Sequence, residues 1–389
     1  MKETHEYLMP DYFVHFACKM GRCRSACCVG WPITISLEDY YRLLSAPCSS
    51  RLRGRIDCGL HPAKHPTREE YAQIAPRYDG NCPMRMDDGR CGLHSELGED
   101  ALPFVCRLYP RGVRAEGDYE CSLANSCEGV LELLMAKEDS IAFEKREMTF
   151  DLPEPRGRTV FFETVGREQE IRLWLISFMQ NRALSLPERL IALGGALTRI
   201  DRALSAGDAD AVDALLREKT RTAARGCWKP ERSHLTRGLR IAEGMLAKVD
   251  ERSQSVRDFG ESTLAYFGDD EHTFEKYLLA RLRMESLFPR WEDWFENMLV
   301  NHMFFSRFPF QDRPVSLADE YIALAGIYAL LRFLCVGWMA ERESADALTD
   351  VAAAAFRLID HTEFDRYAAG ILKSFDCDSA EEMNDLIRL

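Results

Sequence analysis

The sequence predicts a mainly α-helical protein that begins with a small, irregular, cysteine-rich domain. Eleven of the fourteen cysteines lie before residue 128, and only three fall in the remaining two thirds of the chain. Beyond residue 158, apolar residues recur at spacings of three and four, the period of a helix with one buried face. We therefore predict a cysteine-rich, metal- or cluster-binding domain over residues 1–135 and an irregular α-helical domain over residues 159–389.

The composition indicates a soluble globular chain. Its 389 residues are 46% hydrophobic and 29% charged, which suits two domains with cores of their own. The net charge of −13 argues against nucleic-acid binding, which needs a basic surface. The first residues lack the apolar run of a signal peptide, so we expect a cytoplasmic protein. In the apolar stretch 321–340, Arg332 favours a buried helix over a membrane span.

Few regular elements are predicted in the first part of the chain. The sequence WPITIS predicts a short strand, after which Ser36 is suited to cap the helix LEDYYRLLSA. Glu38 and Asp39 favour the positive end of that helix. The stretch DLPEPRGR, residues 151–158, combines two prolines, a glycine and charges, and it predicts a linker.

The second part predicts an irregular helical bundle, because no fixed repeat period is present. The expected helices cover residues 163–180, 185–204, 209–218, 273–287, 291–305, 318–340, 345–360 and 380–387. The segment WEDWFENMLVNHMFF is rich in aromatic residues and methionine, which favours core packing over a groove between domains.

Metal or cluster ligation is the favoured interpretation of the cysteines, because disulfides do not persist in a reducing compartment. The segment FACKMGRCRSACCVGW contains small residues, such as Gly21 and Gly30, that allow the sharp turns needed for thiols to converge. Adjacent Cys27 and Cys28 point apart in regular structure. Either one of them is a ligand or the two serve different centres.

The local spacings match neither a zinc ribbon nor a ferredoxin. Long loops between soft ligands suit a [4Fe-4S] cluster or a four-thiolate zinc site equally well, and His94 could replace one thiol. The candidate ligands are Cys18, Cys23, Cys27, Cys28, Cys82, Cys91, Cys106 and Cys127. Among these, the favoured set of four is Cys18, Cys23, Cys27 and Cys106.

The order of these motifs resembles the flagellin lysine N-methylase family. The matching motifs are F-x-C-x4-C-x3-C-C-x-G-W from Phe16, G-x-C-x8-C-G-L from Gly80, L-G-E from Leu97, L-P-x-x-C-R-x-Y-P-R from Leu102 and E-C-S-L-x-x-S-C ending at Cys127. They cover about the first third of the chain. A broader group of small zinc- or iron-chelating proteins shares the C-x3-C-C and C-R-x-(Y/F)-P elements.

The resemblance implies an enzyme that moves methyl groups from S-adenosylmethionine to lysine ε-amines of flagellin. It also implies a [4Fe-4S] cluster held by these cysteines, with zinc as the alternative metal. Flagellin is then the protein partner, and neither nucleic acid nor a membrane is expected. The alternative function is a non-catalytic iron-sulfur or zinc module whose helical part binds a protein.

Methyl transfer needs a neutral lysine amine, whose ordinary pKa is about 10.4, so the site must desolvate it or place a cation nearby. We predict Tyr78, Asp79 and Tyr109 as catalytic residues, because aromatic faces attract ammonium groups and a carboxylate can orient the amine. Glu120 is an alternative to Asp79. Core packing is the other explanation for the aromatic residues.

Three residues are predicted to bind the cofactor. Trp31 offers an aromatic face, and the guanidinium groups of Arg107 and Arg111 fit a carboxylate such as that of S-adenosylmethionine. The two arginines could instead pair with Asp87, Asp88 or Glu120. A Gly-rich nucleotide-binding turn is missing, because the glycines of IALGGALTRI lie within a helical pattern. Any S-adenosylmethionine site therefore needs another architecture.

Overall fold

The fold is described from a computed structural model of the chain. The described residues are 2–24, 27–30, 32–115, 117–152, 160–218, 228–248, 254–268, 270–362 and 364–389. Within them the protein is mainly α-helical, which confirms the predicted fold class.

The described residues form sixteen α-helices, of which the first five belong to the cysteine-rich part. These are α1 (Leu37–Ser45), α2 (Ser50–Gly59), α3 (Gly92–Leu97), α4 (Phe104–Leu108) and α5 (Glu128–Ala136). The next six are α6 (Glu168–Met179), α7 (Leu186–Ser205), α8 (Ala209–Leu216), α9 (Arg232–Ala247), α10 (Gln254–Phe267) and α11 (Thr273–Leu287). The last five are α12 (Trp291–Phe305), α13 (Leu317–Met339), α14 (Ala345–His361), α15 (Phe364–Lys373) and α16 (Asn384–Arg388).

The strands form two small sheets. They are β1 (Lys2–Pro10), β2 (Ile33–Ile35), β3 (Leu60–Pro62), β4 (Ala72–Ile74), β5 (Arg111–Arg114), β6 (Glu120–Leu123) and β7 (Phe143–Asp151). The larger sheet has the order β5-β6-β1-β7, and the smaller one has the order β2-β4-β3. Strand β1 pairs antiparallel with β7 along nine residues and parallel with β6. The larger sheet therefore joins the start of the chain to residues more than a hundred positions away.

The smaller sheet and the first two helices enclose a small hydrophobic core. Its buried residues include Ile35, Leu43, Leu52 and Ile56, together with Cys82. Helix α1 begins as predicted, because the Ser36 hydroxyl accepts a hydrogen bond from the Asp39 amide at 3.1 Å. This core supports the segment that carries the second group of cysteines.

The larger sheet shares one extensive hydrophobic core with the helices of the second part. This core extends from Tyr7 in β1 to Leu389 at the end of the chain. Helix α12 contacts both parts, because Asn297 donates to the Leu134 carbonyl at 3.0 Å and Asn301 to the Leu123 carbonyl at 2.7 Å. The domain boundaries at residues 135 and 159 remain predictions, and most of the predicted linker lies outside the described residues.

Helix α13 is buried, as its sequence predicted. By length and composition it could cross a membrane, yet 89% of its most apolar window lies inside the structure. Arg332 donates to Glu285 at 2.8 Å and to the Tyr328 hydroxyl at 2.9 Å. Its guanidinium also lies 4.6 Å from the centre of the Trp291 ring. These contacts stabilise the buried charge of Arg332, which would be energetically unfavourable in a lipid bilayer.

Local periodicity predicted most helices of the second part. The helices at 273–287 and 291–305 have the predicted bounds, and the others predicted there differ by a few residues at their ends. Helices α9, α10 and α15 were not predicted individually, and neither were strands β1 and β7. The aromatic and methionine side chains of α12 are mostly buried in the main core.

Candidate functional site

Ion pairs hold the first cysteine segment against α5 and α14. Lys19 contacts the buried carboxylate of Glu128 at 2.5 Å and the partly exposed carboxylate of Glu132 at 2.7 Å. Arg24 lies 3.5 Å from Glu128 and 3.1 Å from Asp350. Because Lys19 and Arg24 follow Cys18 and Cys23 directly, these pairs bring both cysteines towards Cys127, which precedes Glu128.

A close backbone contact joins the first cysteine segment to the turn before Cys91. Gly21 has a φ of +89°, and a Cβ atom there would lie 2.7 Å from the carbonyl carbon of Gly89. Gly89 also has a positive φ, +83°. Glycine is required at this contact for both space and conformation, which confirms the prediction of a sharp turn at Gly21.

The second group of cysteines is assembled by short backbone contacts. The amide of Cys82 donates to the carbonyl of Cys28 at 2.8 Å. Arg85 and Cys91 form an isolated β-bridge, and Cys91 is the N-terminal cap residue of α3. Cys82 is buried, whereas Cys28 and Cys91 are partly exposed. Residues 28, 82 and 91, distant in the sequence, thus lie in one region.

The interactions between thiols divide the candidate ligands into two groups. In the first group, the pKa of Cys23 is raised to about 11 by burial and then by Glu128 and the thiols of Cys127 and Cys18. In the second, the pKa of Cys106 is raised by burial and then by Cys82, Cys91 and Cys28. We call Cys18, Cys23 and Cys127 the first thiol group, and Cys28, Cys82, Cys91 and Cys106 the second thiol group.

Cys27 lies where the two thiol groups meet. A hydrogen bond to Cys28 and then burial raise its pKa well above the usual value, and the thiols of Cys106 and Cys127 raise it further. The same hydrogen bond, together with the charges of Arg85 and Arg357, lowers the pKa of Cys28 to about 7 against the effect of burial. The two adjacent thiols therefore contact each other, although adjacent side chains point apart in regular structure. That one of them is a ligand, or that the two serve different centres, stays a prediction.

The thiols of the two groups are suitable ligands for a metal ion or an iron-sulfur cluster. Within the described residues, however, their side chains do not surround a common centre. The thirteen cysteines within the described part of the chain are all free of disulfide bonds. In that same part, no three histidine, cysteine, aspartate or glutamate side chains stand close enough together to hold a metal ion. Burial opposes ionisation of most of these thiols, and a bound cation would offset that effect.

The predicted catalytic and cofactor-binding residues lie in different places. Trp31 lies outside the described residues. Tyr78 is fully exposed on a turn, and neighbouring Asp79 accepts hydrogen bonds from Arg77 at 3.0 Å and from the Asn81 amide at 3.0 Å. Tyr109 is partly buried and follows α4. Burial raises its pKa well above the usual value, and the neighbouring thiols of Cys127 and Cys27 raise it further.

The two predicted arginines have local partners. Arg107 lies 3.7 Å from Asp151, and the guanidinium of Arg111 lies 5.3 Å from the centre of the Phe16 ring. Glu120, the alternative acid, is fully buried and forms a 2.6 Å ion pair with Arg172. Glu120 therefore stabilises the contact between sheet and helices, and its burial separates it from any surface lysine.

Two residues that sequence reasoning missed lie beside Tyr109. The hydroxyl of Ser126 is 3.0 Å from the Tyr109 hydroxyl and 2.8 Å from Nε2 of His361. Ser126 lies within the E-C-S-L-x-x-S-C motif, so that motif could have drawn attention to it. His361 ends helix α14, far from every cysteine motif in the sequence, and only the tertiary structure places it there.

An open cleft is lined by Gly92, the residue that follows Cys91. Its volume is about 290 Å³, at the lower end of the range for ligand pockets. Its charged lining residues are Arg51, Arg55, Asp87, Asp88 and Glu96. Asp87 is paired with Arg51 at 3.6 Å, and Asp88 with Arg90 at 2.7 Å, so neither is the partner of Arg107 or Arg111.

Comparison with known proteins identifies relatives with a named activity. Over 139 residues, 35% of this chain, the sequence is 26% identical to a Lysine-N-methylase of Salmonella choleraesuis, and the match covers 34% of that protein. A Lysine-N-methylase of Salmonella typhimurium is 25% identical over 139 residues, which are 35% of this chain and 34% of that protein. The Flagellar biosynthetic protein FliU of Salmonella muenchen is 25% identical over 140 residues, 82% of its length.

The matched segment thus covers about a third of the two relatives named as methylases. No solved structure matches the chain. The family model described as the FliB lysine N-methylase C-terminal domain matches residues 172–388, which are more than half of the chain. This match covers the helical part, whereas the cysteine motifs that carry the resemblance lie before residue 128. The chain therefore belongs to the FliB lysine N-methylase family.

Proposed function

We propose that this protein transfers methyl groups from S-adenosylmethionine to lysine ε-amino groups of flagellin in the cytoplasm. The observation that carries the proposal is the family match over residues 172–388 to a lysine N-methylase domain. The relatives' names add support, because two are lysine N-methylases and the third is a flagellar biosynthetic protein. The ordered cysteine motifs in the first third of the chain point independently to the same family.

The proposed reaction requires a neutral amine. The lysine nitrogen attacks the methyl carbon, a nitrogen–carbon bond forms, and the carbon–sulfur bond breaks with its electron pair passing to sulfur. The protein supplies alignment, exclusion of water and removal of the proton from the ammonium group. Tyr109 is the best placed of the predicted catalytic residues, because it is partly buried and lies beside the thiols of Cys127 and Cys27.

We place Tyr78 and Asp79 at the entrance of the site rather than at its centre. The exposed ring of Tyr78 is free to contact a protein substrate, and the Asp79 carboxylate lies next to it. For the methyl donor, Trp31, Arg107 and Arg111 remain the proposed binding residues. The cleft of about 290 Å³ next to Cys91 is a second place to search for it.

We also propose that the two thiol groups hold two metal centres, with Cys27 completing the first group to four thiols. A [4Fe-4S] cluster in at least one of them is the favoured occupant, and zinc bound by four thiolates is the alternative. Support comes from the division of the thiols by their mutual interactions and from their freedom from disulfides. A bound cluster would supply either structural crosslinking or electron transfer.

Methylation is tested with anaerobically purified protein, S-adenosylmethionine labelled on the methyl group, and purified flagellin. We expect label on flagellin lysines, identified by mass spectrometry of tryptic peptides. Flagellin chemically acetylated on its lysines is the matched control and should take up none. If lysine remains unlabelled although the protein carries its full metal complement, the chain is a non-catalytic metal module with a protein-binding helical part.

The metal content is tested by measuring iron, sulfide and zinc per chain. We compare Cys23→Ser, which removes a thiol of the first group, with Cys106→Ser, which removes one of the second. Cys58→Ser is the matched control, because Cys58 is exposed on α2 and outside both groups. Each group variant should lose a separate part of the metal. Retention of all metal in either variant would leave only one occupied centre.

A further inference from the structure

Three tyrosine rings meet on the surface of the cysteine-rich part. Tyr40 and Tyr41 lie on α1, and Tyr71 directly precedes β4. The ring centres of Tyr40 and Tyr41 are 5.5 Å apart, and those of Tyr40 and Tyr71 are 5.0 Å apart. The third distance, between Tyr41 and Tyr71, is 6.4 Å. We call these three residues the tyrosine cluster.

The orientation of the rings is that of an aromatic cage. The planes of Tyr41 and Tyr71 differ by 30°, so these two rings are closer to parallel. The plane of Tyr40 stands across them, at 81° to Tyr41 and 62° to Tyr71. Because the three centres are so close together, one cation over the cluster lies within about 6 Å of every ring, the range of cation–π attraction.

Backbone and side-chain contacts hold the cluster in place. The Tyr71 amide donates to the Ile35 carbonyl at 2.9 Å, and the Tyr71 carbonyl accepts from the Ala63 amide at 2.9 Å. Arg68 donates to Glu38 at 2.9 and 2.6 Å, which joins the start of α1 to the turn before Tyr71. A cage that is already formed binds a ligand without the cost of ordering the chain.

Core packing explains two of the rings and leaves the third without a structural role. Tyr40 and Tyr71 are partly buried against the small hydrophobic core. Tyr41, in contrast, is 58% exposed. Its ring therefore adds little to the core, and it offers an aromatic face that a partner can reach from the solvent.

The charges around the tyrosine cluster favour a cation. Glu69 and Glu70 directly precede Tyr71, and both are exposed. Glu38 is also exposed and lies one helical turn before Tyr41, although Arg68 offsets its charge. The chain as a whole has a net charge of −13. An anionic ligand would be repelled by these surroundings, whereas a cationic one is attracted.

We propose that the tyrosine cluster binds methylated lysine side chains of flagellin, so that the protein retains a partly methylated substrate while further lysines are modified. The identity of the partner rests on the proposed function. An unmodified ammonium group is strongly hydrated, whereas methylation keeps its charge and removes N–H groups that bind water. Aromatic faces therefore select the methylated form. The cluster contains none of the residues predicted to take part in methyl transfer.

Binding is tested by fluorescence anisotropy with the full-length, anaerobically purified protein. The probe is a labelled flagellin peptide with one lysine, in unmodified and in trimethylated form. We expect the trimethylated peptide to bind about tenfold more tightly. A third peptide carries a neutral tert-butyl group in place of the trimethylammonium group. It has the same shape without the charge, so it should bind less tightly than the trimethylated peptide.

Variants of Tyr41 test the role of the ring. Tyr41→Ala and Tyr41→Leu should both abolish the preference for the trimethylated peptide, because leucine retains apolar area but has no aromatic face. Tyr41→Phe should keep it. The matched control is Tyr367→Ala, since Tyr367 on α15 is 55% exposed and should not affect binding. Circular dichroism checks folding, and Tyr41→Leu replaces Tyr41→Ala if the alanine variant does not fold.

Retention of the substrate is tested by mass spectrometry of intact flagellin early in the methylation reaction. The wild type and Tyr367→Ala should produce molecules with several methyl groups beside unmodified ones. Tyr41→Leu should produce mostly singly methylated molecules. Equal distributions for Tyr41→Leu and the wild type would contradict retention by the tyrosine cluster.

The binding results stand apart from the proposed function. Equal affinities for the unmodified and trimethylated peptides would overturn the proposal, and so would a preference that survives in Tyr41→Leu. Displacement of the trimethylated peptide by S-adenosylmethionine would assign the cluster to the sulfonium of the methyl donor instead. A wild type that prefers the trimethylated peptide but does not methylate flagellin would refute the proposed function and leave the binding site in place.

Discussion

Replacing Arg172 by methionine tests the buried ion pair that joins the larger sheet to the helices. The guanidinium is 2% exposed and the Glu120 carboxylate 0%, and Nη1 donates to Oε1 at 2.6 Å. The variant also loses the 3.3 Å hydrogen bond from Nη2 to the Phe304 carbonyl. It leaves a buried carboxylate whose cationic neighbour, Arg114, is 4.0 Å away. Loss of one partner of a buried pair costs about 3–5 kcal/mol.

The loss is measured as the change in free energy of urea unfolding, followed by circular dichroism. The matched control is Arg199→Met, whose 2.5 Å ion pair with Glu218 is about half exposed. Such a surface pair contributes about 0–1 kcal/mol. The double variant Glu120→Gln/Arg172→Met removes the charge together with its partner. Because no carboxylate then remains buried, we expect it to be more stable than Arg172→Met.

The reasoning would be refuted if Arg172→Met lowered the free energy of unfolding no more than Arg199→Met does. It would mean that Glu120 finds water or another cation without cost, and that the sheet is not held to the helices by this pair. A double variant less stable than Arg172→Met would contradict the assignment of the cost to the buried carboxylate.

Two pairs of glycines provide further predictions. Gly21→Ala should lower the metal content per chain more than Gly30→Ala. Both residues have φ near +90°, but only at Gly21 would a Cβ meet another backbone, at 2.7 Å. Gly194→Ala should lower the free energy of unfolding by about 1–3 kcal/mol, because its Cβ would lie 2.5 Å from the Tyr321 ring. A Cβ at the adjacent Gly195 would meet open space, so Gly195→Ala should raise the free energy of unfolding by up to about 1 kcal/mol. Equal effects within either pair would contradict the packing described.

The proposed site combines the two parts of the chain. Tyr109 and Ser126 come from the cysteine-rich part, whereas His361 and Arg357 come from helix α14. The family match covers α14 and the other helices of that part, and the cysteine motifs cover the rest. The contact between Ser126 and His361 therefore joins the cysteine-rich part to a helix that follows it by more than two hundred residues.

Patterns within short stretches of sequence determined the fold class, most helices and the family resemblance. A helix with one buried face has apolar residues at every third or fourth position, as in α7. Helices α11 and α12 were predicted to the residue. The cap at Ser36 and the turn at Gly21 are equally local. The cysteine motifs and their order were sufficient to indicate lysine N-methylation.

Only the tertiary structure decided which distant residues meet. Strands β1 and β7 pair across more than 130 residues, and no local pattern specifies such a partner. The division of the thiols depends on the ion pairs of Lys19 and Arg24 and on the backbone bond between Cys28 and Cys82. The contact between Ser126 and His361 spans 235 positions. Packing of helices against the sheet creates these contacts, because it brings together side chains from distant parts of the chain. No periodic pattern near either residue identifies its partner.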